Sequence, residues 1–184
     1  MISGDKNYNG VIDELVNGSW ISQTDNKQYG IPIKNIEIRK TLDGRECDLI
    51  EGLHSNQKLL VVSDPFTHKA MGSRIFKNLK AKINVGEFIW EQPSSSIEGV
   101  QYLRTKLKDY DGMIAVGSGT VSDSIKYATF LEDKVYSVFA TTPMNAYTTG
   151  TASISFDGIK KSLVAHYAQG VFFDLEVLSN CLSA

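Results

Sequence analysis

The apolar residues of this chain follow two patterns that take turns along it. Lys58-Leu59-Leu60-Val61-Val62-Ser63-Asp64 is a continuous Leu and β-branched run closed by an acid and Pro65. That is the pattern of a strand buried on both faces of a parallel sheet and leaving into a loop. Met71, Ile75 and Leu79 then recur every four residues, which predicts a helix with one apolar face, capped by Thr67. Glu87 to Trp90 predicts a short strand, closed by Pro93 and three serines; Val100, Leu103 and Leu107 mark a second helix. Gly112 to Val116 is the next buried strand, followed at once by Gly117-Ser118-Gly119-Thr120, and Val121, Ile125 and Ala128 give a third helix its apolar face. Val135 to Phe139 and Val171 to Leu175 read as strands, and Thr148 to Ser155, rich in β-branched and small residues, predicts a hairpin. Ile36-Glu37-Ile38 alternates as a half-exposed strand does. No helix is expected after the last strand.

Strands alternating with helices require βαβ crossovers, so the expected class is α/β, a doubly wound and mostly parallel sheet. Residues 1–30 are rich in Asn, Gly, Ser and Asp and are expected to form a polar lead-in with one short helical turn; residues 31–184 form the domain. A chain of 184 residues buries roughly 70% of its unfolded surface and needs no covalent staple. Nineteen basic against 21 acidic residues give a net charge of -2, too little positive field to hold a nucleic acid backbone. The two cysteines, Cys47 and Cys181, form no CxxC pair and suit a reducing compartment. No apolar run approaches a membrane span, and Met1 to Gly10 lacks the apolar core of a secretory signal. The expected location is the cytoplasm.

The turn Gly117-Ser118-Gly119-Thr120 lies between a buried strand and a helix. Its glycines let backbone approach a ligand, and the helix N-terminus offers free N–H groups and partial positive charge, a combination suited to phosphate. A tight βα turn without a ligand would look the same. Asp123 suits the N-terminal helix dipole, and Lys126 reads as a solvated side chain. Asp64 stands at the carboxyl edge of its strand, where an acid either hydrogen-bonds the ribose hydroxyls of an adenosine or caps a loop. It precedes the glycine turn, whereas the standard dinucleotide unit has its acid about 20 residues after the turn. Ala140 to Thr149 gathers hydroxyls, an amide and a phenol on the same edge, either lining a polar pocket or forming a solvated loop. His54, His68 and His166 are scattered, without the spacing of a catalytic zinc site. Ser118 and Ser122 lack a nucleophile elbow.

The string from Asp111 to Tyr127, with its Gly117-Ser118-Gly119-Thr120-Val121 turn, resembles the cofactor turn of glycerol-1-phosphate dehydrogenases, within the superfamily of glycerol dehydrogenases, iron-type alcohol dehydrogenases and dehydroquinate synthases. Val61-Val62-Ser63-Asp64, Thr141 to Gly150, Gly158-Ile159-Lys160-Lys161 and Val171 to Leu178 resemble further stretches of that family in order and position. The likeness runs from about Ile36 to Leu178. It implies a Rossmann-like domain binding NAD or NADP. Gly117, Ser118, Gly119, Thr120 and Val121 would hold the pyrophosphate, Asp64 the adenosine ribose, and Thr141, Thr142 and Thr149 would flank the cofactor. An acid at 64 repels a 2'-phosphate, which favours NAD. The implied reaction is hydride transfer between nicotinamide and a polyol phosphate such as glycerol 1-phosphate or dihydroxyacetone phosphate, a reaction of phospholipid metabolism.

Two departures bear on that reading. The family's substrate loop carries an Asp where this chain has Asn145, the expected substrate contact. The family's divalent metal (Zn, Ni or Fe) is held by an Asp and two His of a segment beyond Leu178 that includes a helical C-terminal domain, and this chain reads as the cofactor domain alone. No catalytic residue, no metal ligand and no activity in isolation are therefore expected, and Asp174 matches the strand, not a ligand position. Apolar surface left by a missing helical domain would favour a homodimer. The alternatives are a non-catalytic nucleotide-binding module and a dehydroquinate synthase-like lyase domain.

Overall fold

A computed structural model describes residues 8–181. Its centre is a six-stranded sheet in the order β3 (Asn35–Arg39), β10 (Gly170–Asp174), β7 (Val135–Ala140), β6 (Gly112–Gly117), β4 (Leu59–Ser63), β5 (Val85–Ile89), with every neighbouring pair parallel. Alternation along the buried strands sends side chains into two separate cores. Leu60 and Val62, Met113 and Ala115, and Tyr136, Val138 and Ala140 pack with Val100, Leu103 and Leu107 of α5 (Ile97–Leu107) and Val121, Ile125 and Ala128 of α6 (Gly119–Leu131). Leu59 and Val61, Ile114 and Val116, Phe139 and Phe172 face the other way. They meet α2 (Glu46–Glu51) and the Met71, Ile75 and Leu79 stripe. The doubly wound arrangement follows from central strands, β4 and β6, that are buried at every position: each face needs its own helical cover.

The helical stretch after β4 differs from expectation at its start. Asp64, not Thr67, is the cap: its side chain accepts from the N–H groups of Phe66 and Thr67, while the Thr67 hydroxyl oxygen accepts from the Asp64 N–H. This reciprocal box opens α3 (Pro65–Thr67), which runs through a π turn, His68–Gly72, into α4 (Ser73–Lys80). Thr67 fills the capping-box partner position, which propensity alone does not separate from the cap.

Two further differences lie at the ends. Residues 8–30 hold more order than one turn: α1 (Tyr8–Val16) and a small antiparallel pair, β1 (Trp20–Ile21) with β2 (Gln28–Tyr29). Met1 to Asn7 lie outside the described residues. After β10 the chain does form a helix, α7 (Leu175–Cys181), started by the Asp174 carboxylate, which accepts from the Glu176 and Val177 N–H groups at 3.2 and 3.3 Å. The predicted hairpin spans β8 (Thr151–Phe156) and β9 (Ile159–Val164), with Asn145–Thr148 in a 3-10 turn before it.

Candidate functional site

The connections leaving β4 and β6 run to opposite faces of the sheet, α3 and α4 to one and α6 to the other, so a crevice opens between the carboxyl ends of two adjacent strands. Ligands of open α/β sheets bind at such a switch point. Register brings the predicted residues there. Ser63 pairs with Val116 and Gly117 with Ala140, so Asp64, Gly117 and Thr141 leave the sheet side by side. The Thr141 N–H donates to the Gly117 carbonyl at 3.3 Å.

Two hollows meet at this edge. One, of about 530 Å3, is lined by Asp64, Phe66 and Thr67, by Ser118, Thr141 and Thr142, and by Ala70, Val177, Asn180 and Cys181. The other, of about 400 Å3, takes in Ser118, Gly119, Thr120, Asp123, Met144 and Lys160. Ser118 belongs to both. It is the cap residue of α6, yet its side chain makes no capping hydrogen bond, so the first N–H groups of that helix are left to face the junction.

The two glycines of the turn do different work. A Cβ at Gly117 would stand 2.7 Å from the Cβ of Val121, so helix packing alone demands glycine there. A Cβ at Gly119 would meet only the Met144 thioether end, with the methyl carbon at 2.9 Å, and that side chain is flexible and 45% exposed. The fold does not need a glycine at 119; a group seated against the helix N-terminus would. Thr141 adds an observation of the same kind. Its Oγ1 is buried at the cleft and has no partner among the described residues. Asp64 spends Oδ1 on its capping bonds at 2.8 and 2.9 Å and leaves Oδ2 without a partner among the described residues. The loop-capping and ligand readings of Asp64 are thus compatible, one oxygen each.

Not every predicted residue reaches the clefts. Thr142 does line the larger hollow, though its Oγ1 is spent on the Tyr147 hydroxyl at 2.9 Å, which donates to the Gly117 carbonyl at 3.0 Å. Val121 is buried against Gly117. Asn145 is exposed on the 3-10 turn and lines neither hollow, and Thr149 bonds within its own loop, to the Ala146 carbonyl at 3.1 Å. Lys160 lines the smaller hollow, whereas Lys161 lies over the Phe156 ring.

Lys126 overturns the solvated reading. It is fully buried, and its ammonium donates to the Ala146 and Thr151 carbonyls at 2.7 and 2.9 Å with the Asp123 carboxylate at 3.5 Å. Burial depresses its pKa, and Asp123 works against that shift. Asp123 in turn accepts from the Ser153 N–H at 3.2 Å. This pair ties the Thr-rich loop and the hairpin to α6, directly beneath the glycine turn. A single Lys three residues after an Asp on a helix carries no signal of that role. Phe66, Val177, Asn180 and Cys181 also escaped the sequence reading, because only the fold brings α3 and α7 to the same cleft.

The histidines are structural. His54 is held between Gln57 and Ser137 at 2.8 and 2.7 Å, His166 bonds Thr129 and stacks on Tyr136, and His68 pairs with Glu87. Asp174 is consumed by Arg74 at 2.7 Å and the Leu42 N–H at 3.0 Å, besides the start of α7. Among the described residues no group of three His, Cys, Asp or Glu side chains could hold a metal ion.

A family model described as iron-containing alcohol dehydrogenase matches residues 37–181. The chain belongs to the iron-containing alcohol dehydrogenase family. It is 27% identical over 160 residues to the glycerol-1-phosphate dehydrogenase [NAD(P)+] of Bacillus subtilis strain 168, covering 83% of this chain and 40% of that protein. The chain therefore spans well under half the length of this curated relative. Among solved structures, glycerol dehydrogenase from Schizosaccharomyces pombe superposes with a TM-score of 0.70 at 19% identity, over 79% of this chain and 38% of that one. An iron-containing alcohol dehydrogenase from Thermotoga maritima gives 0.68 at 18% identity, over 80% and 47%. These likenesses establish the fold. Among the described residues no helix is long and apolar enough to cross a membrane.

Proposed function

We propose that this chain is the nicotinamide dinucleotide-binding part of a polyol-phosphate dehydrogenase of its family. The observation that carries this reading is the junction at Ser118, where two hollows meet over the uncapped N-terminus of α6. A pyrophosphate spanning that junction would accept from the first N–H groups of the helix, with Gly119 leaving room for it. Asp64 Oδ2 and Thr141 Oγ1 are free to meet ribose hydroxyls in the larger hollow. None of the residues lining that hollow is Lys or Arg, which supports NAD over NADP, since a 2'-phosphate beside Asp64 would be unpaired. Lys160 offers the smaller hollow a cation for the pyrophosphate or for a substrate phosphate. The Bacillus relative's name supports glycerol 1-phosphate as substrate.

When bound, the nicotinamide supplies the hydride acceptor or donor. The residues of this chain seat the dinucleotide and hold the loop that covers it. A metal finds no donor set among the described residues, and Asn145, the proposed substrate contact, lines neither hollow. These 184 residues are therefore expected to bind dinucleotide without turning it over.

Calorimetric titration with NAD+ and NADH tests this. Saturable binding is expected, tighter than for NADP+. Gly119→Val, whose Cβ would meet only the Met144 side-chain end, is expected to weaken binding at least tenfold with an unchanged melting temperature. Absence of binding up to millimolar nucleotide would overturn the reading.

A further inference from the structure

The rest of the molecule treats the two strands of the β8–β9 hairpin unequally. The outer edge of β8 is consumed. Its Ser153 N–H donates to Asp123 Oδ2 at 3.2 Å, its Ser155 N–H donates to the Ser95 carbonyl at 2.7 Å, and its Thr151 carbonyl accepts from Lys126 at 2.9 Å. Among the described residues β9 pairs with β8 alone. Facing residues run from Thr151 with Val164 to Phe156 with Ile159, and the Ala165 N–H donates to the Gly150 carbonyl at 2.8 Å. Hydrogen-bonded and non-hydrogen-bonded pairs alternate along an antiparallel ladder. Ile159, Lys161 and Leu163 therefore turn their backbone groups in toward β8, and Lys160, Ser162 and Val164 turn theirs out. All three outward residues are exposed, Val164 at 76%.

A row of free N–H and C=O groups on a regular strand is a template for another strand. No proline or bulge interrupts the six residues of β9. The lysines that would guard such an edge belong elsewhere: Lys161 Nζ lies 5.3 Å over the Phe156 ring of its own hairpin, and Lys160 lines the smaller hollow.

The residues of the strand say what fits it. A second β9 laid antiparallel, with Ser162 facing Ser162, sets Lys160 against Val164 and Lys161 against Leu163. The outward residues then meet one another in hydrogen-bonded pairs, and each lysine stem can lie on an apolar side chain. Sliding the copies toward the hairpin tips sets Lys161 on Lys161 or Lys160 on Lys160, and like charges directly opposite destabilise a sheet. Sliding them the other way shortens the overlap.

We propose that the open edge of β9 is a self-pairing surface, which joins two copies of this chain about a two-fold axis into a four-stranded antiparallel sheet, β8-β9-β9-β8. The contact is independent of what the clefts bind. A single strand pair covers far less than the about 1,600 Å2 of a standard interface, so a dissociation constant no tighter than micromolar is expected.

Sedimentation equilibrium of the 184-residue chain from micromolar to millimolar concentration tests this. Wild type is expected to dimerise across that range. Val164→Lys, made on a side chain already in solvent, opposes a like charge to Lys160 and is expected to weaken the dimer at least tenfold. Its melting temperature is expected to equal that of wild type at a dilution where both are monomeric. Lys160→Glu combined with Val164→Lys is expected to restore the dimer, because opposite charges then face each other across the axis. Ser162→Pro removes an outward N–H without costing β8 a hydrogen bond and is expected to abolish pairing. A wild type still monomeric at millimolar concentration would overturn the proposal and leave the edge to a partner of another kind. A dimer unchanged by Val164→Lys and Ser162→Pro would overturn it by placing the contact on a different face. Loss in Val164→Lys without recovery in the double variant would overturn the Ser162-centred register on which it rests.

Discussion

Lys126 and Asp64 show how much a single side chain's meaning depends on where its neighbours go. Lys126 has its charge satisfied by two carbonyls and one carboxylate, all contributed by or tied to a loop and hairpin later in the chain. Replacing it by Met would leave Asp123 buried with only the Ser153 N–H, and breaking a buried pair from one side costs about 3–5 kcal/mol. Lys126→Met is expected to lose that much in urea unfolding, and Asp123→Asn combined with Lys126→Met to recover part of it. Equal loss in single and double variants would show that the ammonium matters as packing, not charge. Asp64 was legible as a carboxyl-edge acid from its run and Pro65; the division of its two oxygens between cap and cleft was not, since it depends on the turn that follows.

Among the elements, α7 is the instructive one. Nothing in Leu175 to Cys181 announces a helix as firmly as the apolar runs of β4 and β6 announce strands. The helix exists because Asp174, at the end of β10, turns its carboxylate to cap it while Arg74 neutralises the charge from α4. Burial pushes the Asp174 pKa up, but the Leu42 and Val177 N–H groups and Arg74 more than reverse this, and the net pKa lies below the ordinary value. A folded-state pKa below the unfolded one contributes stability that is present above about pH 4 and is lost as pH falls through the folded value. Asp174→Asn is expected to cost about 2 kcal/mol at neutral pH and to flatten the decline in urea midpoint between about pH 5 and 2. An unchanged acid slope would assign the decline to other carboxylates. The π turn at His68–Gly72 was equally invisible: the apolar spacing of Met71, Ile75 and Leu79 reads as an unbroken helix, and all three are indeed buried.

At the scale of the whole molecule, the division at residue 30 becomes a proposal about cooperativity. The Ile31 N–H donates to the Leu15 carbonyl at 3.0 Å, and Gly18 and Gly30 pack so closely that a Cβ at Gly30 would stand 2.7 Å from the Gly18 Cα. Yet none of the six central strands lies before Asn35. Removing residues 1–30 is expected to leave a cooperative unfolding transition, reported by buried Trp90, with a melting temperature a few degrees lower. Loss of that transition would make the lead-in part of the domain.

By itself the sequence determined the class, most of the strands and helices, and the sheet edge at which the candidate site lies, because buried strands and amphipathic helices announce themselves through period, and a glycine turn through its place between them. It also carried the family likeness, since that rests on ordered local strings. The tertiary structure alone decided which side chains share the clefts. Register brought Asp64, Gly117 and Thr141 side by side, the crossover reversal between β4 and β6 opened the space, and packing buried Lys126 while leaving Phe66 in solvent. Local patterns encode which face of an element is apolar; they do not encode the distance between elements far apart in the chain, and a binding site is made of such distances.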